Sequence, residues 1–259
     1  MPAEGPVDTG GVSAPPGFTI LAYGPVESTQ EEAKRLAADG AADGTVVWAE
    51  SQSAGRGRRD RQWNSPPGNL YASLILRPRE TAATAAQLSF VTALALADAI
   101  VLNGPPDLPL TLKWPNDILV ADRKVAGILL ESSARPDAGL DWLIVGTGVN
   151  ITTAPTGTKM PAGALVEAGI SRLTPDRLLG DYLAAFSGWR SRWMASGFEP
   201  VRTAWLARAK GVGGAISVRL SDGSAYGRFE TLDENGALVL RHDDGSRRRI
   251  AAGDVYFGN

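Results

Sequence analysis

The tightest constraint on how this chain folds lies between residues 110 and 150, where strand-like runs follow one another with no helix between them. LTLKW (110 to 114), DILVADRKVAGILLES (117 to 132) and DWLIVGTGVN (141 to 150) are rich in aliphatic residues and parted by short turn signals. The middle run predicts a hairpin turning at Ala121 to Arg123. Parallel neighbours need a crossover of a dozen or more residues, so a sheet built from such runs is largely antiparallel. TVVWAE (45 to 50) and NLYASLIL (69 to 76), the latter ended by Pro78, read as two further strands.

Helices fill the intervals. ESTQEEAKRLAADG carries two overlapping capping boxes, Ser28 with Glu31 and Thr29 with Glu32, and stops at Gly40. The stretch 82 to 102 is long enough to span a membrane, but Thr84, Gln87, Ser89, Thr92 and Asp98 interrupt it, so it reads as a buried core helix. Two more helices fit 175 to 195 and 199 to 210, with Trp189, Trp193 and Trp205 as packing residues. Beyond Gly211, five short strand-like pieces separated by SDG, ENG and DDG turns predict a small barrel or roll. The expected organisation is a disordered tail over 1–17, an α+β domain over 18–210 and a small β-domain over 211–259, without internal repeats.

Composition narrows the chemistry. The chain has no cysteine and one histidine, His242, which removes disulfides, thiolate metal sites and imidazole clusters. The N-terminus lacks the basic start and apolar run of a signal peptide, and a cytoplasmic setting is expected. With 26 basic against 28 acidic residues, nothing suggests wholesale nucleic-acid binding. The run SAGRGRRDRQWN (53 to 64), with four arginines, is therefore a local event.

Loop glycines let backbone N–H groups approach an anion, and arginine forks suit carboxylate and phosphate oxygens. Such a loop could close over a phosphate; it could equally be a solvated turn or an RNA-binding patch. WPND (114 to 117) could be a perch for Mg²⁺ and triphosphate or an Asx turn closed by Pro115. Lys124 could be a solvated hairpin residue, and Gly127, Gly146 and Gly148 could mark bulges. Their conjunction is what a purely structural reading leaves unexplained.

ESTQEEA, AESQSAGRGRRDRQW, NLYASL, LKWPNDIL, RKVAGILLE and VGTGVN, in this order and at these spacings, resemble the catalytic domain of the biotin protein ligases, the biotin-[acetyl-CoA-carboxylase] ligase family. The resemblance covers about residues 18 to 210, and the small C-terminal β-domain matches as well. It implies a core like that of class II aminoacyl-tRNA synthetases followed by an SH3-like barrel. It also implies a two-step reaction: biotin and MgATP give biotinyl-5'-AMP, and one lysine of a biotin carboxyl carrier protein then displaces AMP. Biotin and ATP are substrates, and no tightly bound prosthetic group is expected.

By the same resemblance, Ser28, Thr29, Gln30, Gln52, Arg56, Gly57, Arg58, Lys124, Gly127, Leu129, Gly146 and Gly148 bind biotin, with Ile128 beside them. Gly55, Arg56, Arg58, Arg61, Trp63, Lys113, Asn116 and Asn150 bind ATP or the adenylate, with Trp63 packed at the adenine end. Arg58 and Lys124 carry catalysis, and Asp117 faces Mg²⁺. Three residues depart from the family pattern. Gln30 stands where Asn is usual, and Asp60 stands where the loop usually has Gly, a carboxylate expected to pair with Arg58, Arg59 or Arg61. The chain ends at DVYFGN without the arginine some members carry there, which puts a barrel contact to the nucleotide in doubt. The residues ahead of Ser28 are too few for a groove-reading DNA module, so the ligase-only form is expected, acting without DNA or membrane, as a monomer or homodimer. The rival readings are a lipoate or octanoyl ligase or transferase of the same fold and, in a different class, a non-enzymatic nucleic-acid-binding module using the basic loop and Arg247 to Arg249.

Overall fold

The computed structural model describes residues 14–135 and 139–257, so most of the expected tail lies outside the described residues. Seven strands form one sheet in the order β1-β2-β3-β7-β6-β5-β4: β1 (Thr19–Val26), β2 (Thr45–Gln52), β3 (Leu70–Leu76), β4 (Leu110–Lys113), β5 (Asp117–Val120), β6 (Arg123–Ala134) and β7 (Leu140–Val149). Every pairing is antiparallel except β1 with β2. β1 is an addition to the elements read from the sequence. The helix α1 (Thr29–Ala38) supplies the crossover that makes its parallel pairing possible. The turn between β5 and β6 places Ala121 and Asp122 at φ 47° and 63°, as a two-residue hairpin of matching twist requires.

The stretch 82 to 102 is not one helix. It divides into α2 (Ala82–Ala85) and α3 (Leu88–Leu102), and the Gln87 side chain at the break accepts a 2.8 Å hydrogen bond from the buried Trp193 indole. Eleven of the fifteen residues of α3 are buried, which is why its sequence is apolar all round instead of striped. It lies in the core beneath α4 (Pro175–Ser196) and α5 (Glu199–Leu206). Trp205 packs edge-on to Phe90 at 5.4 Å between ring centroids, and Trp189 donates to Asp98 at 2.7 Å.

A second, wholly antiparallel sheet follows in the order β11-β10-β9-β8-β12: β8 (Ala215–Arg219), β9 (Ser224–Leu232), β10 (Leu238–Arg241), β11 (Arg247–Ile250) and β12 (Asp254–Phe257). It is fastened to the first domain where the Trp114 indole donates to Gly236 O at 3.0 Å and Arg202 donates to Leu232 O at 2.8 Å.

Alternation along the strands divides the large sheet into two faces. Leu70, Ala72, Leu74, Val145 and Val149 point into the main core with α3, whereas Val47, Ala49, Ile75 and Ile144 pack with Ala33 and Ala37 of α1. The site lies on this second face.

Candidate active site

Along β7 the α1 face continues from Ile144 to Gly146 and Gly148, and along β3 from Ile75 to Ser73. The large side chains that meet α1 thus give way to small ones just past the helix N-terminus. The result is a cavity of about 810 Å³, walled by the sheet, the arginine loop, the Trp114–Asp117 turn, residues 155 to 162 and the barrel strands β8 and β12. That volume suits a drug-sized ligand. Residues two apart on one strand are spaced ~7 Å, so Gly146, Gly148 and Asn150 mark successive stations along its floor.

The first station is polar and closed. Ser28 caps α1, accepting from Gln30 N at 3.3 Å. Gln52 Oε1 accepts from Thr29 N at 2.8 Å and from Thr29 Oγ1 at 3.1 Å, while its Nε2 donates to Ser65 Oγ at 2.8 Å. Ser28, Thr29, Gln30 and Ser73 are all buried. A Cβ on Gly146 would lie 2.4 Å from the Gln30 amide, so glycine is needed for that side chain to fit.

The second station belongs to Trp63 and Lys124. A Cβ on Gly148 would lie 2.5 Å from the Trp63 ring and one on Gly127 3.0 Å from it. The Trp63 ring thus lies on two glycines expected to wall biotin. Lys124 Nζ stands 5.3 Å from that ring's centroid. The β5–β6 register slips between Ile118 and Leu119, leaving Val125 unpaired. This bulge turns Lys124 onto the same face as Gly127, whose Cβ would come 3.2 Å from Lys124 Nζ.

Beyond it the cavity is cationic. Lys124 pairs with Asp117 at 2.5 Å, and Lys113 approaches the same carboxylate at 3.8 Å. Burial lowers the pKa of Lys113, partly offset by Asp117, and burial likewise lowers that of Arg58, partly offset by Asp254. Arg58 donates to Asn116 Oδ1 at 3.1 Å, and Asn116 Nδ2 donates to Ile128 O at 2.6 Å. Asn116 therefore spends both ends of its amide on Arg58 and β6, where the sequence reading had it facing the polyphosphate. Asp117 likewise serves as counter-ion to two lysines. Among the described residues no cluster of three His, Cys, Asp or Glu could hold a metal, so this donor set does not amount to a protein cage for Mg²⁺.

The arginine loop is held at its ends by carboxylates outside it. Arg56 pairs with Glu31 of α1; Arg59, at 3.1 Å, and Arg61 both pair with Asp254 of β12. The expected pairing of Asp60 with its arginine neighbours is not seen: it forms no ion pair among the described residues. Instead Arg59 and Asp60 stand at φ 56° and 57°, a conformation that explains why glycine suits position 60 and that Asp tolerates better than most side chains.

Of the residues singled out from the sequence, Ser28, Thr29, Gln30, Gln52, Arg56, Gly57, Arg58, Arg61, Trp63, Lys113, Asn116, Asp117, Lys124, Gly127, Leu129, Gly146, Gly148 and Asn150 all reach the cavity wall. Gly55 does not. It lies behind the wall, accepting from Trp63 N at 2.8 Å, where a Cβ would sit 2.4 Å from Trp63 O. The barrel does reach the cavity without a terminal arginine: Arg219, Asp254 and Tyr256 line its wall. Ser65, Ser73 and Asp254 were missed. Ser73 left a faint signal, a lone hydroxyl in the apolar run of β3; Asp254 left none, because its role depends on the docking of the two domains.

An α+β domain whose cavity grades from hydrogen-bonding groups to cations, roofed by an arginine loop and a β-barrel, defines a class of acid-activating ligase. The chain belongs to the biotin/lipoate A/B protein ligase family: the model of that family matches residues 14–207, and that of the biotin protein ligase C-terminal domain matches residues 212–258. It is 44% identical to a biotin–[acetyl-CoA-carboxylase] ligase of Paracoccus denitrificans, over 90% of this chain and 98% of that one. A ligase of the same description from Mycobacterium tuberculosis is 34% identical over 88% and 85% of the two chains. Among solved structures, the biotin protein ligase from Aquifex aeolicus in complex with biotin and ATP superposes with a TM-score of 0.80 at 29% identity, covering 93% of this chain and 99% of that one.

Proposed function

We infer that the protein is an ATP-dependent biotin ligase that joins biotin to one lysine of a biotin carboxyl carrier protein. The observation that carries this reading is the grading of one cavity from the Ser28–Thr29–Gln30–Gln52 station to the Lys124–Arg58–Lys113 station. A cyclic urea has both donors and acceptors to satisfy, and the first station offers both. The carboxylate at the other end of the ligand then reaches the cations.

In the first step a biotin carboxylate oxygen attacks the α-phosphorus of ATP and pyrophosphate leaves. Both partners are anions, so the protein contributes chiefly position and charge neutralisation. Lys124 sits where it can bridge the carboxylate and the α-phosphate, exchanging Asp117 for them, and Arg58, held by Asn116, covers the same oxygens. Arg56, Gly57 and Arg61 close over the mixed anhydride, with Asn150 toward the adenine. The Mg²⁺ would arrive with the triphosphate of ATP, and Asp117 is the carboxylate of the cationic wall that would help hold it. In the second step the neutral amine of the carrier lysine attacks the acyl carbon, AMP leaves, and the amine's proton is lost as the amide forms.

The carrier is that of acetyl-CoA carboxylase or a similar biotin-dependent carboxylase. The enzyme works in the cytoplasm as a monomer or homodimer, with residues 18–210 as the catalytic unit and 211–259 as its β-domain, and needs neither DNA nor membrane. Calorimetry with biotin and with lipoate, followed by mass spectrometry of the product formed with MgATP, tests this reading. Biotin binding and biotinyl-AMP are expected; preference for lipoate, or no adenylate, would overturn it.

A further inference from the structure

The turn that carries Asn116 and Asp117 is fastened from two domains. Lys113 and Asp117 face each other in the β4–β5 register, so three residues, Trp114 to Asn116, close that hairpin. The Asn116 end is fixed by β6, where Ile128 N donates to Asn116 O at 3.0 Å and Asn116 Nδ2 donates to Ile128 O at 2.6 Å. Pro115 has no N–H to give. The Trp114 end is fixed by its indole, which is 2% exposed and gives its single N–H to Gly236 O at 3.0 Å. That carbonyl belongs to the turn between β9 and β10, in the barrel. A buried donor that loses its partner pays the full cost of its desolvation, so the ring keeps its place only while Gly236 keeps its own. In so short a loop, a shift of the Trp114 ring passes to Asn116 and Asp117, which hold Arg58, Lys113 and Lys124.

The barrel turn is itself rigid. Asp233, a buried carboxylate, accepts through Oδ1 from the N–H groups of Asn235 and Ala237, both at 2.9 Å, and its backbone carbonyl accepts from Gly236 N at 3.1 Å. Gly236 stands at φ 86°, and a Cβ there would meet the Phe90 ring at 2.6 Å. Glycine therefore both permits the turn and lets it settle against α3. Gln87 reaches Glu234 O at 3.4 Å from the break between α2 and α3, and Arg202 of α5 donates to Leu232 O at 2.8 Å. These two ties hold the domains together; the Gly236 tie ends on the catalytic hairpin. We propose that the Asp233–Gly236 turn of the barrel is a positioning element for adenylate formation: through the Gly236 carbonyl it holds Trp114, and through Trp114 it keeps Asn116 and Asp117 aligned with the cations that meet the reacting anions. The proposal rests on the reading of the protein as a biotin ligase and deepens it, giving the barrel a part in the first half-reaction that needs no contact with substrate. Asp233 is the positioning residue of this device.

Wild type, Asp233→Ala, Asp233→Asn, Trp114→Phe and Arg202→Ala are compared in single-turnover adenylate formation at saturating biotin and MgATP, with calorimetry of biotin binding and thermal melting alongside. Asp233→Ala frees the turn and Trp114→Phe removes the N–H, so each is expected to slow adenylate formation roughly tenfold to a hundredfold, the scale of a small misplacement of reacting groups. Biotin affinity should stay close to that of wild type. Asp233→Asn keeps an oxygen for both turn N–H groups and should recover the rate. Arg202→Ala loosens the docking without touching Trp114, so it should lower the melting midpoint and leave the rate alone. Hydrogen exchange at the Trp114 indole, its NMR signal assigned by its absence from Trp114→Phe, should be slow in wild type and Asp233→Asn and faster in Asp233→Ala. A wild-type rate or unchanged indole exchange in Asp233→Ala would overturn the proposal. So would an Asp233→Asn no faster than Asp233→Ala, or an Arg202→Ala slowed as much as Asp233→Ala. A wild type that forms lipoyl-AMP in place of biotinyl-AMP would instead refute the biotin reading, and the same rate comparison on lipoyl-AMP would then decide the proposal; no adenylate from either acid would refute both.

Discussion

Replacing Asp254 by Asn releases the arginine loop from the barrel. Asp254 is 14% exposed and holds Arg59 and Arg61 on a single oxygen, but the arginines are 36% and 57% exposed, so both pairs are partly screened by water. Such pairs contribute about 0.2–1 kcal/mol each, and sharing one oxygen makes them less than additive. A combined effect of about 1 kcal/mol raises the population of the undocked loop roughly fivefold. Trypsin reads that population directly, because it cleaves after the arginines it can reach, and cleavage tracks the open fraction when opening is fast. We expect Asp254→Asn to be cut in the 56–61 segment about five times faster than wild type, with the thermal midpoint little changed. At ~1 M salt, where the Debye length is about 3 Å, the mutant-to-wild-type ratio should fall toward one. Equal cleavage rates at low salt would refute the argument that Asp254 tethers the loop.

Lys124→Ala should slow biotinyl-AMP formation by roughly tenfold to a hundredfold, the scale of one charge-assisted contact, and slow transfer from pre-made biotinyl-AMP far less; equal losses in rapid-quench assays of the two half-reactions would reject the bridging role. Lys113→Met should raise the thermal midpoint at neutral pH, since burial lowers the pKa of Lys113 and the folded state therefore disfavours its charged form. That cost is full below the depressed pKa and gone above the ordinary lysine value, so the mutant's advantage should shrink as pH rises through that window; a gain independent of pH would contradict it. Gly55→Ala should weaken biotin binding in a folded protein, because the added Cβ meets the Trp63 carbonyl and Ser65 Oγ, at 2.4 and 2.5 Å, and overpacking of this kind costs about 1–3 kcal/mol; unaltered affinity by calorimetry would count against that account of the loop neck.

Local signals carried most of this structure. Capping boxes placed α1, the hairpin signal placed the β5–β6 turn, and closely spaced turns marked the barrel, because each depends on residues near one another in the chain. What the sequence left hidden was tertiary. The parallel pairing of β1 depends on α1 folding across the sheet, and the break between α2 and α3 at Gln87 comes with a partner more than a hundred residues away. At the site, the residues singled out from the sequence, Gly55 excepted, line one cavity, but their partners were not legible. Asn116 and Asp117 hold Arg58 and two lysines, and the counter-ion of the arginine loop came from Asp254 instead of Asp60. Nothing in the local sequence of either residue records which cation the fold would bring to it.

The measurement that bears most directly on the central claim is transfer itself. Purified protein is incubated with biotin, MgATP and a biotin carboxyl carrier domain, with lipoate in a parallel reaction, and the carrier is mapped by intact-mass and peptide mass spectrometry. The account predicts a single biotinyl group on one lysine, dependent on ATP and with no other protein added. Lipoylation of that lysine, or an unmodified carrier with no adenylate formed, would contradict it.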